Sequence, residues 1–208
     1  MKNLYYFMLC ILLLTGLSCG DSDSPAGNEF QASISGKYFI SEGGNWLTKT
    51  ETGWQEMNDA IDGIRICTGT FWFLDENTLL IPAIISETTY PPESLSSKWS
   101  QYLSKKGEEL NLFIKSGYRY DPATGLLSTD KQILYREKNG CRYYIENIND
   151  KVFSMRCEFN ESLQGHKEKG YRTTGKESLS PDLRPDSPYK VFDSNDEAIT
   201  YVKNLLGE

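Results

Sequence analysis

The chain has 208 residues, with 22 Lys+Arg against 29 Asp+Glu and a net charge of −7. That length suits one large domain or two small ones. An acidic chain without a basic run is a poor partner for nucleic acid, because phosphate binding needs clustered Lys and Arg.

The first predicted element is an export signal over residues 1–18. Lys2 precedes an unbroken apolar or aromatic run, Tyr5 to Leu14, and small residues lead on to Ser18. A charged start, a short apolar core and a small residue before the cut make the secretory pattern. The run falls short of the roughly 20 residues that a membrane-spanning helix needs. Cys19 closes this segment and opens an acidic, small-residue stretch, Gly20 to Gly27. The arrangement resembles the lipobox of Bacteroidetes-type lipoproteins, with Ser18 before the Cys and Leu17 before that. The resemblance implies that Cys19 is the lipid anchor, that the membrane is a partner, and that the protein sits on the outer membrane, facing the cell surface or the periplasm. More than one acyl chain makes such an attachment stable. The competing reading is ordinary signal cleavage, with Cys19 left as a spare thiol.

Residues 19–31 read as a lipidated flexible tether and residues 32–208 as a single β-rich domain. Ile34 to Ile40 has strand character. Trp46 and Trp54 bracket a polar hairpin or loop. Ile64 to Leu74 and Leu79 to Ile84 form a hairpin around Asp75-Glu76-Asn77-Thr78. Pro82 argues that the return strand lies at an edge. Ser94 to Lys106 has helical spacing, with Leu95, Trp99, Tyr102 and Leu103 on one face and Gly107 as the stop. Glu109 to Asp121 and Leu126 to Glu137 read as strands joined by Asp121-Pro122-Ala123-Thr124-Gly125.

The next hairpins predict a register. A three-residue loop, Lys138-Asn139-Gly140, with an αL glycine pairs Tyr135 with Tyr143 and Ile133 with Ile145. A turn centred on Asn149 pairs Ile145 with Phe153, Tyr143 with Met155 and Cys141 with Cys157. One apolar face then runs through Ile133, Tyr135, Cys141, Tyr143, Ile145, Phe153, Met155, Cys157 and Phe159. The other face carries Arg142, Glu146, Ser154, Arg156 and Glu158, so the meander has one wet side. Residues 160–192 read as a long polar loop or extended return. A capping box, Ser194 to Glu197, starts a terminal helix over 194–206 with Ala198, Ile199, Val202, Leu205 and Leu206 as its stripe.

Consecutive hairpins opening with Ile34-Ser35-Gly36-Lys37-Tyr38 resemble a lipocalin-like (calycin) domain, with Tyr38 where that family has Trp. The segment Phe71 to Leu79 is similar to the strand, acidic turn and strand of bacterial lipocalin-like domains. The resemblance covers about residues 34–160. It implies an antiparallel meander closing into a barrel, with a short inserted helix and a C-terminal helix. It also implies an interior able to hold one small apolar or glycan ligand, lined by Tyr135, Tyr143, Ile145, Phe153 and Met155. The alternative is a filled barrel that partners another outer-membrane protein.

Motifs for chemistry are scarce, and no metal or cofactor is expected. His166 is the one histidine and lies in a charged stretch, so a solvated residue is expected rather than a catalytic base. No Gly-x-Ser-x-Gly elbow is present. Gly170 to Lys176 matches the spacing of a phosphate loop, but Glu177 stands where Ser or Thr should hold magnesium. It reads as a solvated loop. Asp59, Asp62, Asp75 and Glu76 are read as turn residues. The four tryptophans are read as core, with Trp46 and Trp54 the more exposed pair. Cys67, Cys141 and Cys157 remain for at most one internal disulfide.

Overall fold

The computed structural model describes residues 25–57, 70–85, 94–107, 109–149, 152–160, 168–184 and 186–208. The signal, Cys19, Asp59, Asp62, Cys67 and His166 lie outside these residues.

Among the described residues, ten strands form one mainly antiparallel sheet, accompanied by three α-helices. In chain order they are α1 (Pro25–Ile34), β1 (Tyr38–Thr50), β2 (Gly53–Glu56), β3 (Phe71–Phe73), β4 (Thr78–Pro82), α2 (Leu95–Lys106), β5 (Asn111–Asp121), β6 (Leu126–Thr129), β7 (Arg142–Ile148), β8 (Val152–Glu158), β9 (Lys169–Ser178), β10 (Tyr189–Phe192) and α3 (Asn195–Leu206). The pairings return on themselves: β1 pairs with β3, each strand from β3 to β9 pairs with the next, and β9 pairs back with β1. β2 extends β1 as a hairpin, and β10 lies parallel to β5.

The core lies on the inner face of this ring. Phe39, Phe73, Phe153, Leu79 and Leu127 are fully or almost fully buried there. The sector β3–β5 is buried on its outer face too, where Trp72, Leu80 and Phe113 pack under Tyr189 and Val191. This explains why Phe71-Trp72-Phe73 shows no alternation, as expected of a strand covered on both sides. Beside it α2 and α3 join through Leu95, Trp99, Leu112 and Val202. Both helices carry the predicted ends. Ser94 accepts from the Ser97 amide and Gly107 adopts αL, while Ser194 accepts from the Glu197 amide. The Glu197 carboxylate reaches back to the Asp193 amide.

Several expectations are corrected. The segment read as tether is helical from Pro25. Proline suits the first helical position, and Phe30 and Ile34, four apart, share the face that packs on the core. Phe30 stacks on Tyr120 at 3.8 Å. Ile34 therefore ends a helix rather than starting a strand, and Gly36, at φ 79°, turns the chain into β1. Pro82 is not at a sheet edge. It is the last residue of β4, which lies between β3 and β5, beyond the last β3 partner.

The predicted strand Leu126 to Glu137 stops at Thr129. The Glu137 carboxylate accepts from the Thr129 amide and hydroxyl and from the Leu134 amide, and Thr129 Oγ1 accepts from the Ile133 amide. These local bonds compete with a ladder and win. Tyr135 therefore does not pair with Tyr143; Leu127 does. Gly140 does take the αL conformation, at φ 84°.

The β7–β8 register differs by two residues from the predicted one: Tyr143 faces Cys157 and Ile145 faces Met155. Asn149 and Val152 bond to each other across the end of this pair, and a bulge falls between Ile145 and Asn147. A shift of two preserves the face. Cys141, Tyr143, Ile145, Phe153, Met155, Cys157 and Phe159 therefore still share one core, and Arg156 and Glu158 still face outward. Ser154 is buried rather than wet.

The largest correction concerns residues 160–192. β9 is the strand that closes the ring, paired with β1 along ten positions and with β8 along seven. Its glycines are seats for neighbours. A Cβ at Gly175 would lie 2.5 Å from the Ile40 carbonyl oxygen, and one at Gly170 would lie 2.8 Å from that of Cys157.

Candidate functional site

Of the five residues expected to line a ligand chamber, Tyr143, Ile145, Phe153 and Met155 are buried and Tyr135 is not. Tyr143, Phe153 and Met155 are buried in the core, in one cluster with Phe39, Phe71 and Phe73. Phe153 sits 5.1 Å from Phe39 and 5.0 Å from Phe71 between ring centres. Tyr135 lies outside this group, half-buried in the loop before β7, with the Arg136 guanidinium 5.3 Å from its ring.

A polar cleft of about 500 Å³ opens at the end of the ring where α1 sits. Asn28 and Gln31 come from α1, Glu76 and Asn77 from the β3–β4 turn, Gly117 and Arg119 from β5, and Asp130 follows β6. The Gln31 amide donates to the Glu76 carbonyl at 2.8 Å, tying helix to turn. Asp75 Oδ1 accepts from the Asn77 amide at 2.8 Å, so that carboxylate serves the turn, as its sequence context predicts. Arg119 pairs with Asp130 at 2.9 Å. A Cβ at Gly117 would lie 2.3 Å from Asp130 Oδ2, so the glycine gives that carboxylate its seat. Burial, then the charge of Asp75, hold the Tyr118 phenol well above its ordinary range, and it stays neutral. The cleft thus offers amides, one ion pair and the Glu76 carboxylate: groups that exchange hydrogen bonds with a polar solute but are not arranged as nucleophile and base. Sequence reasoning missed it, because its residues come from four separate segments and no spacing links them.

A second cluster lies in the core wall. Cys141 and Cys157 are free and buried, with Tyr143 between them in sequence and beside them in space. Burial, then the two thiols, push the Tyr143 phenol far up.

On the outer face, the tryptophans form no shared platform. Trp72 and Trp99 are buried, and Trp46 meets Tyr171 at 5.3 Å and Phe159 at 5.8 Å. Trp54 lies against the Gly170 seat and donates to Glu158 at 3.1 Å. The Arg156 guanidinium is held between Trp54 and Tyr144, 5.1 and 4.6 Å from their ring centres. Glu146 accepts from both Arg156 and Arg172. Partial burial pushes its carboxyl up, but the two guanidiniums outweigh that and hold it below the ordinary range.

The span Gly170 to Lys176 is strand, not loop, and its amides are spent on β1 and β8. It makes no phosphate cradle. No described helix is long and apolar enough to cross a membrane. No protein-family profile, curated protein or solved structure matches the chain.

Proposed function

We propose that this chain is a non-enzymatic envelope lipoprotein, anchored through a lipid on Cys19, that presents a filled lipocalin-like barrel to a protein partner at the outer membrane. The observation that carries this reading is the packed interior. Phe39, Phe73 and Phe153 are fully buried in one cluster on the inner face of the ring, and an apolar ligand chamber needs several hundred Å³. The closed order of pairings supports the barrel. The apolar run ending at Cys19, with the acidic stretch after it, supports the anchor. The test is native mass spectrometry of the full-length protein extracted from its host membrane. A lipid-modified chain beginning at Cys19, with no retained apolar molecule, is the expected result. A stoichiometric apolar ligand released on denaturation would overturn the filled-barrel reading. Membrane partitioning that survives Cys19→Ala would overturn the anchor.

The polar cleft favours a second reading, in which a small glycan-like solute docks between α1 and Asp130. Titration with mono- and disaccharides, followed by amide NMR shifts at Asn28, Asn77 and Arg119, separates the two.

A further inference from the structure

We propose that Cys141 and Cys157 form a modification site: a dithiol that an external disulfide converts into a covalent staple between β7 and β8. Both thiols are free, and their residues are only 3% and 5% exposed. Tyr143 stands directly opposite Cys157. Cys141 lies two residues before Tyr143 on the same face, so the cysteines are diagonal neighbours across the strand pair. Each thiol shifts the acidity of the other, as close neighbours do. Diagonal placement leaves the backbones wider apart than a disulfide prefers, so one of them must move. Cys141 is the one free to do so. It follows Gly140, which is in αL at φ 84°, it precedes the first residue of β7, and its amide reaches Arg136 O at 3.4 Å.

The two thiols are unequal, as an exchange reaction requires. The Cys157 thiol lowers Cys141 most. The Asn160 backbone amide and the Arg136 charge add to it, and together they outweigh burial. The Cys141 thiol, with burial, drives Cys157 upward. Cys141 is therefore the attacking thiolate and Cys157 the resolving thiol. In the first step Cys141 sulfur bonds to one sulfur of the external disulfide, whose S–S bond breaks and releases a thiolate. In the second, Cys157 gives its proton to that thiolate or to water and attacks Cys141 sulfur. The mixed disulfide breaks and the second thiol leaves. The two cysteines are oxidised, and the oxidant is reduced to two thiols. Nothing in this scheme depends on lipid at Cys19.

The full-length protein is incubated in glutathione buffers of increasing oxidised fraction, acid-quenched, alkylated and digested. A Cys141–Cys157 cross-linked peptide is expected, reversed by dithiothreitol and accompanied by a rise of several degrees in thermal midpoint. Cys157→Ser should trap glutathione on Cys141. Cys141→Ser should react about tenfold more slowly at Cys157, because the resolving thiol is the less ionised one. If both cysteines stay reduced at every glutathione ratio, or if the linked peptide contains Cys67, the proposal fails. The wild-type peptide map decides this even if a serine variant does not fold.

Discussion

The inner and outer faces of β7, β8 and β9 are built from alternate residues of the same strands, yet different physics holds each. Inside, Tyr143, Phe153, Met155 and Cys157 fill space, and one apolar side chain can replace another if volume is kept. Outside, Tyr144, Arg156, Glu158 and Arg172 form a chain of paired partners capped by Trp54, in which each group has a fixed neighbour. The contrast teaches that the interior sets how stable the ring is, while the exterior sets how β2 lies on it. Burial is worth about 25 cal/mol per Å² of apolar surface. Partly exposed ion pairs are worth little each, and more when networked.

Substitutions can break or sharpen that contrast. The largest effect is expected at Phe153, where three aromatic rings meet. Phe153→Ala should cost about 3–5 kcal/mol, read as a lowered midpoint in urea with unchanged slope. If the loss is under about 1 kcal/mol, the interior is not the solid core described. Gly170→Ala tests the join between the faces. Its new methyl would press on the Cys157 carbonyl, which is backbone, and on the Trp54 ring at 3.1 Å. A loss of about 1–3 kcal/mol is expected, with a shift in tryptophan emission as Trp54 is displaced. Unchanged emission would mean that Trp54 does not lie on β9.

The loop before β7 gives a pH-dependent prediction. Burial pushes the Glu137 carboxyl above its ordinary 4.5, against the pull of its bonds to Thr129 and Leu134. A raised value in the folded state means that the folded chain holds its proton more tightly than the unfolded one. The resulting stability is fully present below 4.5 and is lost as pH rises through the folded value. Stability of Glu137→Gln should change less with pH across that window than wild type. An identical pH profile in the two proteins would exclude Glu137 as the titrating group. The smallest effect is expected from Arg156→Ala on the outer face, about 1 kcal/mol or less and reduced further by salt. A loss comparable to that of Phe153→Ala would erase the distinction between the faces.

Both capped helices were legible in the sequence, because their caps and apolar stripes are local signals. So was the shared inner face of β7 and β8, since the period of two survives an error of two in register. The register itself was not, because a bulge leaves no mark in composition. β9 was hidden for a different reason. Its buried positions are filled by Gly170, Thr173 and Gly175 rather than by large apolar residues, so hydropathy showed a loop where neighbouring strands needed room. The end of β6 depended on a side chain, Glu137, folding back on the backbone. Of the candidate ligand residues, Tyr143, Phe153 and Met155 were correctly placed inside, but whether an interior is hollow or full is a matter of three-dimensional fit that no pattern records.

The pairing of β1 with β9 has a consequence for how the protein is made. Tyr38 finds its partner in Ser178, near the other end of the chain. During vectorial synthesis, β1 therefore emerges early and must wait with an open edge until almost the whole domain has followed. Long-range strand closure of this kind is slow and exposes edges to foreign strands. The polar and glycine-containing run Ser41-Glu42-Gly43-Gly44-Asn45 in the middle of β1 makes that waiting edge a poor template for aggregation.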